Sequence, residues 1–112
     1  ERGIVVQWTA IGDGLVDFKK YAQRFAELAP GVPLNIETIS GFAKPFDLAK
    51  PETLKNFPKV TEEGLAGFKA LAKKGKAIPP FKAPEGPGKK DAEIAYQKDQ
   101  FEKSVKWLRE NV

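Results

Sequence analysis

Leu34-Asn35-Ile36-Glu37-Thr38-Ile39-Ser40-Gly41 is short and apolar and has turn chemistry just ahead of it. Pro30, Gly31 and Pro33 precede it, and helical patterns lie on either side. These are the bounds of a buried strand. Side chains alternate along a strand, so Leu34 and Ile36 share one face while Asn35 and Glu37 share the other. A carboxylate near the end of a covered strand must be paired, protonated or bound to a metal, because burying it alone is too costly. Glu37 therefore has two readings. In one it sits at the strand's wet end, held by a Lys or Arg. In the other it carries chemistry.

Working upstream, Gly3 to Ile11 is rich in β-branched and aromatic residues and reads as extended. Gly12-Asp13-Gly14 supplies a turn. Leu15 to Ala29 places Phe18, Tyr21, Ala22, Phe25, Leu28 and Ala29 on one helical face. Asp17 stands where a carboxylate accepts free backbone N–H groups at a helix start, and Pro30-Gly31 stops the helix. Strand, helix, strand implies a parallel sheet covered by helices. Gly-Asp-Gly ahead of a helix also raises phosphate binding. It lacks both the G-x-G-x-x-G spacing and the Lys-Ser/Thr of a P-loop, which favours a capped tight turn.

Downstream, Phe42 to Asp47 reads as a loop with two aromatics. Pro51 suits the first turn of a short helix over 51–57. Thr61 caps a second helix over 62–74, ended by Gly75. Residues 76–90 hold four prolines and two glycines and read as a loop, more mobile than the helices around it. Asp91 starts a last helix reaching about residue 111, with Ile94, Phe101, Val105, Leu108 and Val112 as its core stripe and Trp107 beside it. Lys73, Lys74, Lys76, Lys89 and Lys90 form two basic clusters. They read either as a polyanion patch with Phe81 as a stacking platform, or as solvated helix ends, which the mixed-in acids favour. Trp8, Phe42 and Phe46 flank the strand ends and are candidates to line a pocket.

With 112 residues the chain holds at most one domain. A 41% hydrophobic and 30% charged composition fits a globular chain rather than a disordered one. No apolar run approaches a membrane span. The absence of methionine, even at position 1, suggests an internal piece or processed product. Without cysteine there is no thiol nucleophile or disulfide, so the compartment, cytoplasmic or bacterial periplasmic, stays open. Without histidine, a site made from this chain must use carboxylates, Lys, Tyr and hydroxyls. A net charge of +4 neither demands nor excludes an anionic partner.

Three blocks together resemble the sugar phosphate isomerase/epimerase family, the xylose-isomerase-like TIM barrels. Gln7-Trp8-Thr9-Ala10-Ile11-Gly12-Asp13-Gly14-Leu15-Val16-Asp17-Phe18 is similar to that family's turn into its seventh helix. Val32-Pro33-Leu34-Asn35-Ile36-Glu37 is similar to its eighth strand with a terminal glutamate. Phe101 to Glu110, with Ser104 and Trp107-Leu108-Arg109, resembles its closing helix.

The resemblance implies an α/β fold. The chain would be the C-terminal portion of a (β/α)8 TIM barrel, carrying the last strand and last helices. Residues 1–112 would form a single incomplete domain, with 41–90 as an inserted, lid-like segment or oligomer contact. The implied function is a metal-dependent isomerase or epimerase of a sugar or related hydroxy-ketone, acting through an enediolate. Glu37 would be both metal ligand and proton-transfer carboxylate. Trp8, Phe42 and Phe46 would shape the substrate pocket. The metal would be a divalent ion (Mn, Co, Zn or Mg), with its His, Asp and second Glu supplied from upstream of Gly3. The partners expected are therefore the sugar, the missing N-terminal part of the barrel and, through 41–90, a second copy. A membrane is not among them and nucleic acid is disfavoured. The alternative is a non-catalytic module that uses the Lys-rich loop 73–90 for an anionic partner.

Overall fold

The computed structural model describes residues 3–112. Its elements run β1 (Ile4–Gln7), α1 (Phe18–Leu28), β2 (Ala43–Phe46), α2 (Pro51–Lys55), α3 (Glu62–Lys73) and α4 (Lys89–Asn111). The helices start where their chemistry dictates. Asp17 caps α1, its carboxylate accepting from Lys20 N at 3.0 Å. Thr61 caps α3 in the same way through Gly64 N. Pro51 opens α2, where its missing N–H costs nothing. Helix α4 begins at Lys89, two residues before Asp91, which lies in its first turn.

The sheet differs from the sequence expectation. β1 pairs antiparallel with β2, Ile4 facing Phe46 and Gln7 facing Ala43. The pairing continues past β1, with Trp8 N donating to Phe42 O and Gly41 N to Trp8 O. The aromatic stretch read as a loop is thus half strand. Pro45 is tolerated because a two-stranded ribbon leaves every residue on an edge.

The Leu34–Thr38 strand reading meets a different outcome. Among the described residues, no backbone hydrogen bond to another backbone group is made by residues 33–39. Burial alternates only from Asn35 on: Ile36 and Thr38 are half-buried and Ser40 buried, while Asn35, Glu37 and Ile39 are exposed, and Leu34, expected on the covered face with Ile36, is exposed too. That is the period of an extended strand without neighbours.

Burial is sparse. Among the described residues the only buried apolar side chains are Ala10 and Ala22, and no large side chain is fully enclosed. The accessible surface is 9293 Å², against roughly 6,100 Å² for a folded monomer of this mass. The radius of gyration is 16.9 Å, against roughly 13 Å for a compact chain of this length.

Helix α4 shows why. Its buried residues are Gln100 and Ser104, whereas Ile94, Phe101 and Val112, assigned to the core from their spacing, are exposed. Only Val105 and Leu108 of that stripe are even half-buried. The polar face is turned inward because it finds unpaired backbone groups there.

Candidate functional site

Three side chains of α4 clamp two separate stretches of backbone. Gln100 Oε1 accepts from Ala10 N at 3.0 Å. Ser104 Oγ accepts from Ile11 N at 3.0 Å and donates to Gln100 O. Gln97 behaves as a detached peptide group: its Oε1 accepts from Ser40 N at 3.2 Å and its Nε2 donates to Ser40 O at 2.7 Å. The exits of β1 and of the 34–40 segment are therefore tied to one helix, three residues past Glu37.

The clamp is itself braced. Gln100 Nε2 donates to Asp99 at 3.1 Å, which Lys103 also contacts at 2.8 Å. Lys103, and secondly Gln100, hold the Asp99 carboxyl below its ordinary range. The same hydrogen bond raises the Lys103 ammonium above its ordinary value. Both groups are solvated, so the bracing is directional rather than strongly energetic.

An aromatic corner closes over the clamp. The Trp8 and Phe42 rings lie 4.7 Å apart. Phe81 stacks on Tyr96 at 4.0 Å with ring planes 10° apart. Gly41 joins the two pairs. Its φ of +88° suits glycine, and a Cβ there would come within 2.9 Å of the Tyr96 ring. Gly12, at φ +97°, packs under the Trp107 indole, which fills the space in front of the Gly-Asp-Gly turn. The turn reading accounts for this stretch.

Of the residues singled out from the sequence, Trp8 and Phe42 come together. Phe46 does not join them. It meets Phe57 at 5.9 Å and Phe68 at 6.2 Å in a second cluster between the ladder, α2 and α3. Glu37 is exposed and makes no ion pair or hydrogen bond among the described residues. Nor do the described residues bring three metal-ligating side chains to one place. A single free carboxylate does not make a metal centre, which takes about three protein ligands. Sequence reasoning missed Gln97, Gln100 and Ser104. Their signal was a run of polar residues at 97, 100 and 104, the i, i+3, i+7 spacing of one helical face, running beside the apolar stripe.

Comparison with known protein families, with curated proteins and with solved structures finds no match.

Proposed function

We propose that the chain is the closing portion of a (β/α)8 barrel in a metal-dependent sugar isomerase or epimerase, with Glu37 as one of the site's carboxylates. The observation that carries this reading is the 34–40 segment. From Asn35 to Ser40 it keeps the alternation of a strand, makes no ladder bonds among the described residues, and presents Glu37 to solvent just before the Gln97 anchor. An extended segment with free backbone groups and about 3,000 Å² of surplus surface around it calls for sheet neighbours and a covering layer. In a barrel, a glutamate near the C-terminal end of such a strand faces the mouth where the chemistry sits.

In this reading the remaining metal ligands come from outside these residues, and Trp8 with Phe42 forms one wall of the substrate pocket. Phe46 shapes the inserted segment instead. The anionic-partner alternative loses support, because Phe81 is engaged with Tyr96 and leaves the lysines without a free stacking platform.

Glu37→Gln in the intact polypeptide tests the assignment. Gln keeps the shape and loses the charge, so turnover on ketoses should vanish and metal affinity should fall while the fold survives. Activity within about tenfold of the parent, or ~1.4 kcal/mol of barrier, makes Glu37 a structural carboxylate. Residues 1–112 alone should show no turnover. Calorimetry with manganese, cobalt and zinc should find no tight site in them, and micromolar binding by this chain alone would refute the reading.

A further inference from the structure

Gln97 holds Ser40 at two points. Its Nε2 donates to Ser40 O at 2.7 Å, and its Oε1 accepts from Ser40 N at 3.2 Å. Two residues that face each other in an antiparallel ladder exchange the same pair of bonds. One side-chain amide thus takes the place of a neighbouring strand at this residue. Ser40 is only 8% exposed, so water has little access to replace either bond. The chain is held again at Gly41, whose N–H donates to Trp8 O at 3.0 Å. Gly41 turns through a φ of +88°, which separates its orientation from that of the extended residues before it.

A pair of bonds fixes an orientation where a single bond allows rotation. In extended backbone the N–H and C=O of one residue lie along the same edge, and side chains stand across it on alternating faces. Once the Ser40 edge is aimed at α4, each preceding side chain has its face assigned. Ile36 and Thr38 share the Ser40 face and are half-buried, while Glu37 and Ile39 take the other and are exposed. A slip of one residue would exchange the faces and turn Glu37 inward. The neighbour of Gln97 on the helix guards against that slip. The Tyr96 ring, stacked with Phe81, packs so closely on Gly41 that a Cβ there would come within 2.9 Å of it. Moving Ser40 or Phe42 into that place would bring a Cβ into the ring.

We infer that Gln97 is the positioning residue for Glu37: its double bond to Ser40 sets the roll and register of 34–40 and so decides that this carboxylate is the side chain presented. The consequence for turnover rests on the isomerase reading. The placement itself does not.

The test uses the intact polypeptide carrying Thr38→Cys or Ile39→Cys, which put a thiol on either face without touching Glu37. The 112 residues contain no cysteine of their own. Labelling by iodoacetamide, read at each position by mass spectrometry, should be faster at 39 than at 38, because thiol reactivity follows exposure. Adding Gln97→Met keeps the length of the side chain and removes both bonding groups. The two labelling rates should then converge. Amide exchange at Ser40 should become about five- to 150-fold faster, while the Ala10 amide, held by Gln100, keeps its rate.

A preference for position 39 that persists in Gln97→Met overturns the inference, as does unchanged exchange at Ser40. Equal acceleration at Ala10 would show that α4 as a whole has loosened, and would overturn it too. In an enzyme that Glu37→Gln inactivates, Gln97→Met should lower kcat and leave KM for the ketose nearly unchanged. An unchanged kcat there refutes the positioning role. If Glu37→Gln stays active, the isomerase assignment falls, and the labelling at 38 and 39 still decides whether Gln97 places Glu37.

Discussion

Replacing Gln100 by Leu removes one acceptor from a nearly closed space. Ala10 is 3% exposed and Gln100 7% exposed, so water has little access to the Ala10 N–H once Oε1 is gone. An orphaned buried donor costs about 1–3 kcal/mol. Leu is close to Gln in size, so little of that cost comes from a cavity. The penalty falls on one amide, which makes hydrogen exchange the right assay. A loss of 1–3 kcal/mol in local opening free energy corresponds to exchange roughly five- to 150-fold faster at Ala10. Trp8, held by Phe42 O, serves as the internal reference, and its amide should change much less. Ser104→Ala should speed exchange at Ile11 in the same manner. If Ala10 exchanges within about twofold of the parent in Gln100→Leu, the helix clamp does not hold β1, and the account of the inward polar face of α4 fails.

The Asp99–Lys103 pair gives a pH signature. Asp99 is depressed below 3.8 in the folded chain, so its contribution is present above that value and is lost as pH falls through the folded pKa. Lys103 is raised above 10.5, so its contribution is present below that value and is lost as pH rises through the folded pKa. Thermal unfolding followed by circular dichroism should therefore be flat in the neutral range, and Asp99→Asn should flatten the acid limb. An acid limb of unchanged depth in that variant would show that other carboxylates set it. Limited trypsinolysis should cut first after Lys76 or Lys82, because residues 76–85 make no backbone-to-backbone hydrogen bonds among the described residues. Cuts after Lys89 or Lys90 should be slower, since these open α4. First cuts within 18–28 or 94–108 would contradict the helices.

The parts legible in the sequence were those decided by neighbours in the chain. Asp17, Thr61 and Pro51 fixed three helix starts, because capping needs only the next three residues. The length of α4 followed from its unbroken pattern. What depended on partners was not legible. The apolar stripe of α4 was assigned to the core by its period, yet a period says only that a face exists, not which face is used. Here two backbone stretches with N–H groups that lack backbone partners took the polar face, whose Gln97, Gln100 and Ser104 accept from Ser40, Ala10 and Ile11, and Ile94 and Phe101 stay exposed. Phe42 and Phe46, read together as loop aromatics, part company because β2 carries Phe46 over to α2 and α3. Glu37, expected near the end of a covered strand, is exposed and makes no ion pair among the described residues. Its role depends on groups that the described residues do not supply.

The clamp also sets a schedule for the nascent chain. The two bonds that secure the end of β1 join residues separated by 90 and 93 positions. At roughly 5–20 residues per second, the backbone at Ala10 and Ile11 waits on the order of five to twenty seconds for the helix that will hold it. During that interval the Trp8 exit has β2 for company, while 34–40 lacks Gln97. A factor that shields extended, unpaired backbone would find its substrate there, and its hold on Ser40 would end when Gln97 of α4 arrives. Codon choice between Ser40 and Gln97 would then act on folding yield without changing a single contact in the finished protein.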